Sequence, residues 1–200
     1  MLSRTYFTWG AGAVFAVVLG TFILTGGLSD QSFSAEPTAY ASVQNQQTNP
    51  WLPGRLKIPK IGVDAAIESV GLTQGGAAGV PKNPGDVAWF NLSPRPGDEG
   101  NSIIDGHFGW KDGQPAVFDK LSNLRPGDAI SVESAEGITT TFVVRELRTY
   151  GLRENVSEVF HSSDGKAHLN LITCEGVWDA VSKSYSKRLV VFADKDTPQL

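Results

Sequence analysis

The sequence predicts a single all-β domain, a small barrel or a sandwich, that follows an apolar N-terminal segment. Between residues 54 and 194, short runs rich in β-branched and aromatic residues alternate with turns that contain Gly, Pro, Asn and Asp. The chain has 22 Gly and 11 Pro, many of them between these runs, which favours a β-rich fold over a helical bundle. A chain of 200 residues suffices for one domain with appendages and hardly for two domains with full cores.

The first element is an uncharged apolar run from residue 10 to residue 28. At about 1.5 Å per residue, a run of this length nearly spans a hydrocarbon core of roughly 30 Å, so residues 1–28 predict a cytoplasmic tip and a transmembrane anchor. A cleaved signal peptide is the alternative, although its apolar region is normally shorter. Arg4 precedes the run and the next basic residue is Arg55, so the positive-inside rule predicts a cytoplasmic N-terminus. Under either interpretation, the remainder of the chain is expected to be exported.

Residues 29–53 form the second segment, which is rich in Ser, Thr, Gln, Asn and Ala and predicts a flexible linker. The β domain then occupies residues 54–194, and residues 195–200 are a short tail. Residues 117–124 predict one short helix that ends at Arg125 and Pro126. Eight strands are predicted, at residues 55–61, 65–70, 87–90, 102–106, 129–133, 139–150, 168–174 and 187–193.

Composition and motifs exclude several functions. The net charge of −4 gives no electrostatic basis for nucleic acid binding. A single Cys excludes an intrachain disulfide and a Cys-based metal cluster, and the dispersed acidic residues give no reason to expect a metal site. The sequence also lacks a G-x-S-x-G elbow, an H-E-x-x-H motif, a Walker A loop and a G-x-G-x-x-G motif.

Cys174 is the residue that most needs an explanation. It lies at the end of a predicted strand, which Glu175 and Gly176 are expected to close. Exported proteins usually pair their cysteines, so an unpaired one is either a buried packing residue or a nucleophile. A nucleophilic thiol needs a base or a positive neighbour to raise its thiolate fraction.

His107 is the best base by elimination among the three histidines. His168 is six residues before Cys174, roughly 20 Å away along one strand, and His161 lies in a polar loop. His107 ends a predicted strand and follows a glycine that permits close approach. Arg188 opens the strand after Cys174 and could stabilise an oxyanion, although a solvated surface position is the alternative.

The segments IIDGHFG, LNLITCEG and YSKRLVVFA, with the opening GRLKIPKIGVDAAIESVG, resemble the sortases, which are membrane-anchored bacterial cysteine transpeptidases. The resemblance covers residues 54–194 and is strongest to class F, with class D and class E as alternatives. It implies an eight-stranded β-barrel with one or two short helices. It also implies that no cofactor is needed.

The resemblance implies a role for each matching residue. Cys174 corresponds to the nucleophile that cleaves an LPxTG-like C-terminal sorting signal, and His107 to the general acid and base. Arg188 corresponds to the oxyanion-holding residue, and Thr173 to a substrate-binding position. Trp178 is a further candidate for lining the substrate groove, with packing as the alternative.

The implied partners are surface proteins or pilins that carry a sorting signal, an amine acceptor such as a cell-wall precursor or a pilin lysine, and membrane lipid around the N-terminal helix. Asp105 departs from the family, which often has a small or apolar residue two positions before the histidine. One competing interpretation is a non-catalytic, membrane-tethered barrel that binds peptides or wall components. A second, an L,D-transpeptidase, is disfavoured because that family has S-H-G-C where this chain has I-T-C-E.

Overall fold

The computed structural model describes residues 52–110 and 113–197. Within these residues eight strands close into one barrel in the order β1-β2-β3-β4-β7-β8-β6-β5, which confirms the all-β prediction and the barrel. Pairs β2–β3 and β4–β7 are parallel, and the other six are antiparallel. The strands are β1 Pro53–Ile58, β2 Val63–Val70, β3 Val87–Phe90, β4 Gly100–Gly106, β5 Ala129–Ser134, β6 Thr139–Gly151, β7 Ala167–Asp179 and β8 Ser184–Lys195.

The N-terminal predictions lie mostly outside the described residues. The predicted anchor, residues 1–28, and nearly all of the predicted linker belong to the part of the chain that the structure does not describe. Pro53, the last linker residue, already belongs to β1. No helix in residues 52–110 and 113–197 has the length and hydropathy needed to cross a bilayer.

Alternation along the strands divides the side chains between the barrel core and its outer face. Leu169 and Leu171 of β7, together with Leu189 and Val191 of β8, are buried in the core. The intervening residues of these two strands therefore point outward. This parity places Cys174 and Arg188 on the outer face of the barrel.

A second apolar cluster covers part of that outer face. It joins residues of β4, β6 and β8 to Val159 of helix α1, Ser157–Phe160. The buried side-chain amides of Asn101 and Asn170 donate hydrogen bonds to the Val159 carbonyl oxygen at 3.1 and 2.7 Å, which holds α1 on the sheet. The segment between β6 and β7 thus forms one wall of a groove that leads along the outer face.

The predicted helix at residues 117–124 is wrong: the structure has turns and a short 3-10 helix, Leu121–Asn123. The Asp119 carboxylate accepts hydrogen bonds from the backbone N–H groups of Gly109 and Ala116. The Val117 N–H donates to the Pro84 carbonyl and the Phe118 N–H to the His107 carbonyl. Within the segment, the N–H groups of Leu121, Asn123 and Leu124 donate to carbonyls three residues earlier, which is 3-10 and not α-helical pairing.

The predicted loop after Cys174 is also wrong over most of its length. Strand β7 continues to Asp179 and β8 begins at Ser184, so the two strands form a hairpin. The register shifts between Glu175 and Trp178, where Gly176 has a φ of 87°. A glycine that suggested a strand end is the bulge that lets the strand continue.

Candidate active site

Strand pairing brings Cys174 and Arg188 together. Cys174 of β7 lies directly opposite Arg188 of the antiparallel strand β8. Directly opposite residues share one face of the sheet, with Cβ atoms about 4.5–5.5 Å apart. The thiol and the guanidinium therefore start from neighbouring positions on the outer face.

His107 reaches the same level of the barrel from β4. Strand β4 runs parallel to β7, and the last paired residues are Asp105 and Ile172. His107 is two residues beyond Asp105, just as Cys174 is two residues beyond Ile172. All three predicted catalytic side chains line one cleft of about 540 Å³. The structure thus brings together the thiol, the imidazole and the guanidinium.

The surroundings of His107 fix its backbone and its ring. An added Cβ on Gly106 would collide with the Phe118 ring, which explains why glycine precedes the histidine. The His107 Nε2 atom lies 2.8 Å from the Pro81 carbonyl oxygen, and because a carbonyl only accepts, Nε2 carries the proton. In the neutral imidazole, Nδ1 is then the acceptor. The ring also packs against Trp110, with centroids 4.7 Å apart.

Thr173 ties β7 to the residue before His107. Its hydroxyl donates a 2.7 Å hydrogen bond to the Gly106 carbonyl oxygen, and the side chain is only 1% exposed. This contact joins the backbone beside the thiol to the backbone beside the imidazole. Its predicted role in substrate binding stays a prediction.

The Arg188 guanidinium is folded back onto its own hairpin. Nη1 donates to the carbonyl oxygens of Tyr185 and Lys187 at 3.0 and 2.9 Å, and Nη2 to the Ser184 hydroxyl at 3.2 Å. No carboxylate within residues 52–110 and 113–197 lies within ion-pair distance of it. The positive charge is therefore held by neutral acceptors, which a stronger acceptor such as an oxyanion could displace.

Burial and two charges set the acidity of the thiol. Burial raises the pKa of Cys174 above its usual value, Arg188 lowers it, and Asp105 raises it further. Asp105 lines the neighbouring apolar cavity, and its own burial raises its pKa to about 7 against the opposing effect of Arg188. Cys174 is a free cysteine.

An aromatic cluster that sequence reasoning missed forms the outer wall of the cleft. Tyr185 packs edge-on against Phe108 at 5.5 Å and against Trp178 at 5.2 Å between ring centroids. Trp178 is 52% exposed, so one face of its ring is open to a ligand. Tyr185 is the register partner of Trp178. The sequence did not predict this pairing, because the last predicted strand began only at residue 187.

A second, mostly apolar cavity of about 330 Å³ adjoins the cleft at Arg188. Its floor is the outer face of the sheet, and its walls come from the segments around residues 78–80 and 150–160. Asp105 and Glu154 are its acidic residues, in a lining that is otherwise dominated by Phe90, Ile103, Val156, Phe160 and Ile172. The cleft and the cavity share Arg188 as a lining residue, and the two together are called the groove below.

Comparison with known families identifies this arrangement. The sortase domain model matches residues 56–196, which is well over half of the chain. The chain belongs to the sortase family. Sortases are cysteine transpeptidases, and this sortase has one cysteine. No curated protein matches significantly.

Solved sortase structures share the fold at low sequence identity. Sortase C-1 from Actinomyces oris is 24% identical, with a TM-score of 0.54 over 72% of this chain and 73% of that one. Sortase C1 from Streptococcus agalactiae is 23% identical, with a TM-score of 0.56 over 73% and 68%. Sortase A from Corynebacterium diphtheriae is 21% identical, with a TM-score of 0.57 over 74% and 62%. The similarity supports the fold, and the assignment to class F stays a prediction.

Proposed function

We propose that this sortase cleaves a C-terminal sorting signal of the LPxTG type through a Cys174 thioester and transfers the cleaved protein to an amine acceptor at the cell surface. The observation that carries the proposal is the meeting of Cys174, His107 and Arg188 in one cleft that opens into an apolar cavity. Those three groups supply a nucleophile, a proton carrier and an anion-stabilising cation.

The groove suits an extended peptide. The apolar cavity has room for a branched aliphatic side chain, such as the leucine of the signal, while the scissile bond lies over Cys174. The open face of Trp178 borders the peptide on the side of the leaving group. Thr173 contributes through its bond to the Gly106 carbonyl, because that bond keeps the two reacting strands in register.

Acylation follows from these positions. The Cys174 thiol loses its proton to His107 Nδ1, and the sulfur attacks the carbonyl carbon before the scissile bond. Arg188 leaves its backbone acceptors and donates to the oxyanion. The imidazolium then gives the proton to the leaving amine, so that the C–N bond breaks and a thioester remains.

Transfer is the same chemistry in reverse. An amine of the acceptor enters the side of the cleft that the leaving peptide has vacated, and His107 takes its proton as the nitrogen attacks the thioester carbon. Collapse of the second tetrahedral intermediate forms an amide and returns the thiol. Water in place of the amine gives hydrolysis as a side reaction.

The cellular setting follows the N-terminal prediction. A single-pass anchor at residues 1–28 with a cytoplasmic N-terminus would hold the barrel on the extracytoplasmic side of the membrane. Surface proteins or pilins with a sorting signal would reach the groove there, and a cell-wall precursor or a pilin lysine would supply the amine. The apolar run would contact membrane lipid.

Replacement of Cys174 by Ala tests the proposal. We expect Cys174→Ala to abolish cleavage of an LPxTG-type peptide and to remove the acyl-enzyme adduct that mass spectrometry detects in the unsubstituted protein, because no other thiol exists in the chain. Full cleavage by Cys174→Ala would refute the nucleophile assignment. An unreactive thiol with intact peptide binding would instead favour a non-catalytic binding barrel.

A further inference from the structure

Asp105 occupies a position in the groove that the proposed reaction does not use. It lies on the outer face of β4, paired with Ala88 of β3 and with Ile172 of β7. Cys174 is two residues beyond Ile172 on the same face, and Asp105 and Arg188 line the apolar cavity together. The carboxylate is thus a diagonal neighbour of the thiol, about 7–8 Å away by sheet geometry.

The Asp105 carboxylate makes no hydrogen bond and no ion pair with any residue in the described parts of the chain. A carboxylate without a fixed partner beside a nucleophile can change its charge without breaking a bond of the fold. The titratable and charged groups that face it are Arg188 from β8, Cys174 from β7, His107 beyond β4, and Tyr150 and Glu154 around the cavity. Its β3 neighbour, Ala88, carries no charge.

The electrostatics give this carboxylate a defined effect on the thiol. Burial raises the pKa of Asp105 to about 7, so both forms are populated near neutral pH. The ionised form raises the pKa of Cys174, whereas the neutral form has no such effect. It also attracts the Arg188 guanidinium, the charge that favours the thiolate.

We propose that Asp105 is a positioning residue that restrains the nucleophile: its carboxylate opposes the Cys174 thiolate in the free enzyme, and a peptide that fills the apolar cavity neutralises it. Filling the cavity removes water from Asp105, and loss of water favours its protonated form. One proton is taken up from solvent. The thiolate is then no longer opposed by a negative charge.

Alkylation of Cys174 tests the restraint without any peptide. The chain has one cysteine, so the iodoacetamide rate of the full-length protein in detergent reports this thiol alone. We expect Asp105→Asn to lower the apparent pKa of Cys174, because the substitution removes a negative charge that opposes the thiolate. The variant should react several-fold faster than the unsubstituted protein at about pH 8 and equally fast below about pH 6, where Asp105 is already neutral.

Two variants serve as controls. Asp196→Asn removes the same charge from an exposed residue after β8, so the dependence of the iodoacetamide rate on pH should stay that of the unsubstituted protein. Asp105→Glu keeps the charge and should therefore keep the slow alkylation at about pH 8. Circular dichroism checks that each variant is folded. An Asp105→Asn curve that is unchanged, shifted upward, or matched by Asp196→Asn would overturn the proposal.

Proton uptake tests the coupling to peptide binding. In the Cys174→Ala background, titration with an LPxTG peptide near pH 8 in two buffers of different ionisation enthalpy should reveal a fractional proton taken up. Adding Asp105→Asn should abolish the uptake, and equal uptake in both proteins would overturn the coupling. Because the coupling rests on the proposed function, a peptide that fails to bind counts against that function, while the alkylation curves still decide the restraint.

Discussion

Strands β7 and β8 hold a charged cluster at each end, and the two clusters are built in opposite ways. At one end, His168 lies opposite Asp194, and at the other end Cys174 lies opposite Arg188. The Nδ1 atom of His168 lies 2.7 Å from the Asp194 carboxylate and its Nε2 atom 3.0 Å from the Asp164 carboxylate. Arg145 completes this end with a 2.9 Å bond to Asp194.

The difference teaches where reactive chemistry can be placed on one rigid hairpin. The His168 ring is 5% exposed and both of its nitrogens are occupied by carboxylates, so it has no free atom for a substrate. At the Cys174 end, Arg188 meets only neutral acceptors and Asp105 meets none within the described residues. The same two strands therefore use charge for stability at one end and keep it unpaired for function at the other.

The largest effect that separates the two ends is expected for an Arg→Lys exchange. Arg188→Lys should lower kcat/KM for peptide cleavage by about 100-fold or more, because an ammonium cannot replace the forked donors at the oxyanion. Its Tm should stay close to that of the unsubstituted protein, since the present acceptors are a hairpin hydroxyl and two backbone carbonyls.

The matched control for this prediction is Arg145→Lys at the other end. Arg145 of β6 bonds Asp194 and lies 5.7 Å from the centroid of the Phe192 ring, and it does not line the cleft. Its exchange should leave kcat/KM unchanged. Equal activities of the two variants would break the comparison, because Arg188 would then be no more than a surface arginine.

An effect of intermediate size is expected for His168→Asn, and it concerns the stability of the protein and not its activity. Removing the buried ring takes away the donor that Asp164 and Asp194 share, which should cost about 1 kcal/mol in the free energy of unfolding, because both carboxylates are partly exposed and water replaces part of the lost interaction. Well below the Tm, kcat/KM should be unchanged. Denaturant unfolding and peptide cleavage measure the two quantities separately.

The exposed His161, which lies between α1 and β7, provides the control. We expect His161→Asn to change neither the free energy of unfolding nor kcat/KM. If His168→Asn reduced activity at full stability, His168 would belong to the functional machinery. The two ends would then be coupled through β7, contrary to the comparison.

Sequence reasoning could reach the residues of the reactive end but not the way they are arranged. Cys174 is the only thiol, and His107 remains when the other two histidines are eliminated, so both follow from counting and strand length. The six-residue separation of His168 from Cys174 was correctly predicted to keep them apart, because both lie on β7. Runs of β-branched and aromatic residues between turn residues likewise gave all eight strands, within a few residues at their ends, except at the extended hairpin.

The missed features depend on contacts that no local pattern contains. The spacing of Phe118, Leu121 and Leu124 suits an α-helix, but the backbone there pairs N–H groups with carbonyls three residues earlier in place of four. Gly176 resembles a strand end and is a bulge. The isolation of Asp105 becomes visible only once the β4–β7 register places it beside Cys174 and Arg188.

The smallest effect is expected for Asp164→Asn, and it depends on pH. The hydrogen bond from His168, followed by the bond from the Lys166 backbone N–H, holds the pKa of Asp164 below its ordinary value. A depressed folded-state pKa stabilises the protein above the unfolded-state pKa, about 4, and this stabilisation is lost as the pH falls through the lower folded-state value.

The decrease in Tm caused by Asp164→Asn should therefore be full at neutral pH and should shrink as the pH falls below about 4. It should be smaller than the decrease for His168→Asn, because the Asp164 carboxylate is largely exposed and solvent screens its interactions. Thermal unfolding followed at several pH values measures the difference. A Tm difference that is constant down to the lowest pH would show that the Asp164 charge does not contribute to stability. Of the two carboxylates at His168, only Asp194 would then stabilise this end of the hairpin through its charge.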